Sequence, residues 1–237
     1  MIKNILFDLD GTLINTKQKE FNDKYYQTFY KKFVNVDEEI DTIFAVVLQS
    51  LTIMLNNDGK STNEKVLWEF LEEKLNKYNI NVQDIFNDYY HNEYDSLVTC
   101  VEKIKGIGEA IYSLKEKGYN LILATNPLFP KIAIEKRANW GDIDCSCFSY
   151  ITSYENSSYC KPNINYYKEI IDKNNLNIQE TFMFGNDLIE DLIIENLNIP
   201  CYIITNNALH FENINNCTKK GDYNDFFDFI NNLPDLN

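Results

Sequence analysis

The chain has 237 residues, 44% of them apolar and 24% charged, a composition typical of folded globular proteins and sufficient for one large domain or two smaller ones. Its formal net charge of −14 at pH 7 argues against binding to nucleic acid or to an anionic membrane surface. A small anionic substrate stays compatible with this charge, because a bound cation can reverse the field inside a cleft.

The N-terminal stretch "MIKNILFDLD" predicts a core strand, because its apolar part is too short for a signal peptide. The sequence also contains no apolar run near the ~20 residues that a membrane helix needs, so we expect a cytoplasmic protein. Its six cysteines are scattered, which favours reduced thiols over a disulfide framework. Cys145 and Cys147 could offer two thiolates to zinc, but no second pair completes such a site.

Short apolar runs alternate with helical patterns along most of the chain. Strands are predicted at "KNILFDL", "YNLILATN", "FSYITS", "TFMFGN" and "PCYIIT". Helices are predicted at "GIGEAIYSLKEKG", "PKIAIEKRANW", "NINYYKEIIDKNN", "DLIEDLIIENLN" and "DYNDFFDFINNL". This order predicts an α/β fold with a doubly wound, Rossmann-like parallel sheet, in which ligands bind beyond the carboxyl ends of the strands.

Residues 15–104 interrupt this alternation and show no clear strand. Aromatic residues recur every four positions from Phe21 to Phe33, apolar residues continue at helical spacing over 40–51, and a weaker helical pattern covers 83–101. Ser61 and Glu64 predict a capping box at the start of another helix. We therefore expect an all-helical cap over 15–104 and a core domain over 1–14 and 105–237, with the cap above the strand ends like a lid.

Polar residues follow four of the predicted strands. If the strands are parallel, all of them converge on one edge of the sheet: Asp8, Asp10, Thr125, Asn126, Lys161, Asn186, Asp187 and Asp191. Clustered oxygen donors suit Mg²⁺, and a carboxylate can take a phosphoryl group while a second one moves protons. A lysine and a hydroxyl would stabilise the phosphoryl oxygens, so the set predicts phosphoryl transfer.

In order and spacing, these residues resemble the four motifs of the haloacid dehalogenase-like (HAD) hydrolase superfamily, in its phosphatase branch with an α-helical type-1 cap. "DLDGT" at 8–12 matches the first motif, Thr125 the second, Lys161–Pro162 the third and 185–191 the fourth. The resemblance implies a Mg²⁺-dependent phosphatase that acts on a small phosphorylated metabolite through an aspartyl-phosphate.

By the same resemblance, Asp8 is the nucleophile, Asp10 the general acid/base, and Thr125 and Lys161 complete the catalytic set. Gly11, Thr12 and Asn126 are expected to bind substrate. Mg²⁺ would be held by Asp8, the Asp10 backbone carbonyl and a fourth-motif side chain, either Asn186 or Asp187, with Asp191 in support. The superfamily usually has Asp where this chain has Asn186, which leaves open which of the three fourth-motif residues contacts the metal.

Asp10 itself favours phosphate chemistry, because the dehalogenases of the superfamily lack this second aspartate. The alternatives are a phosphosugar mutase, a catalytically weak phosphate-binding member and, less compatible with the layout, a phospho-receiver module. The sequence does not distinguish a monomer from a homodimer.

Simpler interpretations exist for single residues. Thr125 could begin a loop, Lys161 could be a solvated lysine, and Asp187 could cap a helix with Asp191 at the surface. Other residues are expected to have structural roles only: Arg137 and Trp140 to pack their helix, and His91 and His210 to lie at the surface.

Overall fold

A computed structural model describes residues 1–34, 39–78, 80–217 and 219–237. Within these ranges, six parallel strands form one sheet in the order β5-β4-β1-β6-β7-β8. Their bounds are β1 Asn4–Phe7, β4 Asn120–Leu123, β5 Tyr150–Ile151, β6 Thr181–Gly185, β7 Cys201–Ile204 and β8 Lys219–Gly221. The predicted α/β, doubly wound parallel sheet is confirmed.

Helices cover both faces of this sheet and build the insertion that follows β1. The α-helices are α1 Gln18–Lys31, α2 Ile40–Leu55, α3 Asn63–Leu75, α4 Val82–Asp88, α5 Ile107–Glu116, α6 Lys131–Trp140, α7 Ile164–Asn174 and α8 Tyr223–Asn231. No helix among the described residues is long and apolar enough to cross a membrane. All six cysteines, each within the described ranges, are free thiols.

β1 is buried on both sides. Phe7 packs into a core with residues of α5 and α8, among them Phe226, whereas Leu6 faces the opposite core with Tyr167 of α7. A strand buried on both faces has a continuous apolar sequence, which explains why "ILF" shows no alternation. This burial fixes the carboxyl end of β1, and with it Asp8, in the middle of the sheet.

The insertion contains α1 to α4, a π-helical segment at Tyr89–Glu93 and a 3₁₀ segment at Tyr94–Cys100. The predicted aromatic face of α1 is buried, and its rings pack against those of Phe86, Tyr89 and Tyr94. The bounds of a separate cap domain at 15–104 stay a prediction. The cap residue of α3 was predicted wrongly: Thr62, not Ser61, accepts the hydrogen bond, from the Lys65 amide.

The expectation of no strand in 15–104 was also wrong. β2 (Ile14–Thr16) and β3 (Val101–Lys103) pair antiparallel where the chain leaves and re-enters the sheet region. Three residues are too few to show a periodicity, so the sequence carried no signal for this ribbon. The sixth sheet strand, β8, is equally short and begins with two lysines, and it was not predicted.

The helix predicted over 187–198 is reduced to a 3₁₀ segment at Leu192–Leu197. Residues 188–191 form a turn instead, beside which Asp191 Oδ2 accepts from the backbone N–H groups of Asn186 and Asp187, both at 3.0 Å.

Candidate active site

Asp8 lies just beyond β1, where its carboxylate meets a buried lysine. Lys161 Nζ donates to Asp8 Oδ1 at 2.8 Å and to Asp191 Oδ1 at 2.6 Å. The Lys161 side chain is only 1% exposed. It is therefore a buried bridge between two carboxylates, and the interpretation of a solvated loop lysine is wrong.

Both carboxylate oxygens of Asp191 accept hydrogen bonds from protein groups. Beyond Lys161 and the two backbone amides on Oδ2, its Oδ1 accepts from the Tyr167 hydroxyl at 3.3 Å. It is buried rather than at the surface. A carboxylate so engaged fixes the loop after β6 and the lysine, which suits the supporting position predicted for it better than a position as a metal ligand.

Burial has a large effect on the ionisation of both members of the Asp8–Lys161 pair. It raises the pKa of the Asp8 carboxyl from its ordinary 3.8 to about 7, with Lys161 opposing the rise and Asp191 and Asp10 adding to it. Burial lowers the pKa of Lys161, but the charges of Asp191 and Asp8 outweigh it and raise that pKa well above its ordinary value. Asp8 thus sits in an environment that a further positive charge would relieve.

Asp10 follows Asp8 by two residues, and both of its carboxylate oxygens accept hydrogen bonds. The Thr16 hydroxyl donates to Oδ1 at 2.6 Å, and Arg137 Nη1 donates to Oδ2. Thr16 belongs to β2 and Arg137 to α6, so the carboxylate is fixed between the ribbon and a helix of the sheet region. The expectation that Arg137 has only a packing role was wrong.

Gly11 allows the turn after Asp10 to approach the fourth motif. Its φ is +87°, and a Cβ there would lie 2.2 Å from Asn186 Nδ2. The next residue, Thr12, donates from its buried hydroxyl to Asp8 Oδ2 at 3.3 Å and to Asn186 Oδ1 at 3.4 Å. The structure therefore brings the first and fourth motifs together at Asp8.

Asn186 and Asp187 present oxygens of different availability. Asn186 Nδ2 donates to the Asn207 carbonyl at 2.7 Å, which turns its Oδ1 toward Thr12. Asp187 Oδ1 accepts from the backbone N–H groups of Ile189 and Glu190 at 2.7 and 2.9 Å. These bonds close a turn and do not cap a helix, because residues 188–191 are not helical.

His210 contacts the same oxygen of Asp187. Its Nδ1 lies 2.9 Å from Asp187 Oδ1. This hydrogen bond and the carboxylate charge raise the pKa of His210 above its ordinary 6.5. The side chain is 43% exposed, so the expected surface position is right, although the sequence pattern did not indicate its partner.

Thr125 and Asn126 follow β4 at the adjacent strand end. The Thr125 carbonyl accepts from Thr152 Oγ1 at 2.7 Å and from the Tyr166 hydroxyl at 2.8 Å, which fixes this buried turn. Asn126 Nδ2 donates to Glu190 Oε2 at 3.3 Å, and its Oδ1 is buried without a protein partner among the described residues. Burial raises the pKa of Glu190, a residue that the sequence analysis did not single out.

A cavity of about 280 Å³ joins these side chains. All the predicted polar residues at the strand ends except Lys161 line this cavity. Lys161 lies behind the wall and binds two of the lining residues, Asp8 and Asp191. The remaining lining residues come from the insertion, from α6 and the loop before it, from the fourth motif and from the segment after β7. They are Gln18, Phe21, Asn22, Leu128, Phe129, Arg137, Glu190 and Leu209. The insertion therefore covers the carboxyl edge of the sheet.

A family model described as haloacid dehalogenase-like hydrolase matches residues 5–194. The chain belongs to this family. The match covers the insertion and ends before β7 and β8. In this HAD-like hydrolase, residues of the first, second and fourth motifs line one cavity, and Lys161 of the third motif binds two of them, Asp8 and Asp191. A search of curated proteins found no match.

Solved structures share the fold of this HAD-like hydrolase at low identity. A HAD phosphatase from Thermococcus onnurineus is 16% identical, with 97% of this chain and 98% of that chain covered and a TM-score of 0.58. A HAD-hydrolase from Bacillus subtilis, solved bound to magnesium, is 16% identical, with 98% and 100% covered and a TM-score of 0.57. The L-2-haloacid dehalogenase from Xanthobacter autotrophicus is 12% identical, with 91% and 81% covered and a TM-score of 0.50. Phosphatases and dehalogenases both occur among these structures, so the fold alone does not decide the chemistry.

The donor atoms near Asp8 fit a hard divalent cation. In the part of the chain that the structure describes, no three His, Cys, Asp or Glu side chains form a ready metal site. The available oxygens are instead the Asp8 carboxylate and the Asn186 amide, whose orientation is fixed by its bond to Asn207. Oxygen ligands of this kind suit Mg²⁺, and its charge would offset the cost of ionising the buried Asp8.

Proposed function

We propose that this HAD-like hydrolase is a Mg²⁺-dependent phosphatase for a small phosphate monoester. One observation carries the proposal: the Asp8 carboxylate at the tip of β1 is paired with Lys161 at 2.8 Å, and a second carboxylate, Asp10, lines the cavity beside it. The superfamily's dehalogenases lack that second carboxylate, as noted above, so Asp10 favours phosphate chemistry.

In the proposed first step, an Asp8 oxygen attacks phosphorus and forms an aspartyl-phosphate while the bond from phosphorus to the leaving oxygen breaks. Asp10, when protonated, gives its proton to that leaving oxygen. In the second step, Asp10 accepts a proton from water as the water oxygen attacks phosphorus, and inorganic phosphate leaves with Asp8 restored. One carboxyl group acts as acid and then as base, so the proton balance closes in each turnover.

Lys161 and Thr125 have the charge and position to stabilise the phosphoryl oxygens. Lys161 Nζ already contacts the attacking carboxylate, so it can stabilise charge that moves from Asp8 to the phosphoryl group. Thr125 lines the cavity. Asn126, which lines the cavity, stays a proposed substrate contact, and so do Gly11 and Thr12 of the turn that follows Asp10.

Mg²⁺ would be held by the Asp8 carboxylate, the Asp10 backbone carbonyl and Asn186 Oδ1. Asp187 is the less suitable fourth-motif ligand, because its Oδ1 already accepts from two amides and contacts His210. When bound, the ion supplies positive charge to the phosphoryl oxygens and to Asp8. An amide in place of the usual carboxylate leaves the metal site with one negative charge fewer.

The test measures release of inorganic phosphate from a panel of phosphorylated metabolites and from p-nitrophenyl phosphate, with Mg²⁺ and with EDTA. We expect hydrolysis with Mg²⁺ only, and its loss in Asp8→Asn. Asp172→Asn, the same change at an exposed carboxylate on α7, is the matched control and should keep full activity.

Three outcomes would contradict the proposal. Phosphate release that persists in Asp8→Asn removes the nucleophile from its assigned role. Halide release from 2-chloropropionate, without turnover of any phosphate ester, would assign the chain to carbon–halogen hydrolysis. An isomeric sugar phosphate instead of free phosphate would indicate the mutase alternative.

A further inference from the structure

Arg137 is the only arginine in a chain that has 21 lysines. It lies on α6, its side chain is 4% exposed, and Nη1 donates to Asp10 Oδ2. Among the described residues, a lysine serves in the other buried ion pairs, those of Lys161 with Asp8 and Asp191. A buried positive charge is therefore not what requires arginine at this one position.

The surroundings of Arg137 are suited to the shape of a guanidinium. Its Cζ lies 4.9 Å from the ring centre of Phe129 and 5.8 Å from that of Phe21. A planar guanidinium can stack on rings and still donate from its edge, whereas a lysine ammonium is a compact point charge. The two rings thus hold the guanidinium so that its edge faces Asp10.

This arrangement has a stability cost. Within the described residues, Arg137 Nε is buried and has no hydrogen-bond partner, and the same holds for the Tyr94 hydroxyl. A buried donor without a partner costs about 1–3 kcal/mol. Packing alone would be served better by an apolar residue in a site with two phenylalanine rings, so the retained arginine points to a role in the reaction.

We propose that Arg137 is a positioning residue that fixes the Asp10 carboxylate for proton transfer to and from the substrate. Thr16 holds the other oxygen at 2.6 Å, so the carboxylate is oriented from both sides. A carboxylate has about four lone-pair positions, so these two bonds leave sites free for a proton and for the leaving oxygen. This inference rests on the phosphatase function proposed above.

The test compares two substrates whose leaving groups differ in whether they must be protonated as they depart. p-Nitrophenolate leaves without a proton, whereas the alkoxide of glycerol phosphate needs one. The quantity to compare is kcat/KM, because it covers the steps through departure of the leaving group and excludes the later hydrolysis of the aspartyl-phosphate. General acid catalysis typically contributes about 10²–10⁴-fold.

For Arg137→Lys we expect kcat/KM to fall at least ~30-fold for glycerol phosphate and less than ~3-fold for p-nitrophenyl phosphate. Asp10→Asn should show the same selective loss. The double variant should be no worse than Asp10→Asn alone, because the two residues act as a unit. Phe129→Leu removes one of the two stacking rings and should show a smaller loss of kcat/KM that is again selective for glycerol phosphate. This variant replaces Arg137→Lys in the test if Arg137→Lys does not fold.

Lys136→Met is the matched control on the same helix. Lys136 pairs with Asp95 of the insertion at 2.8 Å and does not line the cavity. Loss of this ion pair should lower thermal stability and leave unchanged the ratio of kcat/KM for glycerol phosphate to kcat/KM for p-nitrophenyl phosphate.

Equal losses for both substrates in Arg137→Lys, or full activity of that variant, would overturn the positioning role. Either result together with an inactive Asp8→Asn variant leaves the phosphatase function standing. An active Asp8→Asn variant instead removes the proposed function itself.

Discussion

Replacing Asp8 by Asn should stabilise the metal-free protein at alkaline pH, although the residue is the proposed nucleophile. The pKa of the Asp8 carboxyl is raised by burial from 3.8 to about 7 in the folded protein. A raised pKa means that the native state prefers the protonated form. The stability contribution of this group is therefore fully present below pH 3.8 and is lost as the pH rises through about 7.

The structure sets the size of the effect. A rise from 3.8 to about 7 corresponds, at 1.36 kcal/mol for each pKa unit, to a cost of about 4 kcal/mol at pH 8. At pH 5, where the folded protein keeps the proton, the same calculation leaves a cost of about 2 kcal/mol. Asparagine has no charge to desolvate, and Lys161 keeps its bond to Asp191 in the variant.

The assay is chemical denaturation of the wild type and of Asp8→Asn at pH 5 and pH 8, with EDTA present. We expect the variant to gain stability at both pH values and to gain about 2 kcal/mol more at pH 8 than at pH 5. The difference between the two proteins isolates Asp8 from other titrating groups. A variant that is less stable than wild type at pH 8 would show that the Lys161 ion pair outweighs burial, and the reasoning would be wrong.

Three further substitutions test the geometry around Asp8. Gly11→Ala places a Cβ 2.2 Å from Asn186 Nδ2 at a φ of +87°, so we expect a loss of about 2 kcal/mol or more in denaturation experiments, together with lower activity. Asn186→Asp adds a charge to the proposed metal site, and the Mg²⁺ concentration for half-maximal activity should fall about tenfold, equivalent to ~1.4 kcal/mol; an unchanged value would exclude this residue as a ligand. Asp191→Asn removes the charge that binds Lys161 and also the backbone N–H groups of Asn186 and Asp187, contacts that Asp8 does not share. The free energy of unfolding should therefore fall by about 3–5 kcal/mol, and a loss below ~1 kcal/mol would contradict its anchoring role.

The sheet and the convergence of its polar ends followed from local sequence patterns. A strand buried on both faces has a continuous apolar run, and "NILF" and "TFMFG" show this without any knowledge of their partners. Parallel pairing then brings Asp8 and the fourth motif to one edge, whatever the details of the loops.

Other features depend on contacts that no local pattern contains. Arg137 lies on a helix with the buried residues Ala133 and Ile134. The periodicity of this helix does not show whether Arg137 only packs against its neighbours or also pairs with Asp10, which is 127 residues away in the sequence. The available signal was its uniqueness among 21 lysines. The ribbon of β2 and β3 was missed because each strand has three residues. The helix after Asp187 was overpredicted, since residues 188–191 form a turn in the structure.

The apolar cluster of the insertion does not end at the insertion's own helices. Ala133 of α6 and Tyr154, which follows β5, are buried members of it, and Phe129 packs against its aromatic rings. Thermal unfolding of the helices of the insertion would therefore expose apolar residues of α6 and of the loops next to the sheet. A calorimetric scan should therefore record a single endotherm shared by both parts of the molecule.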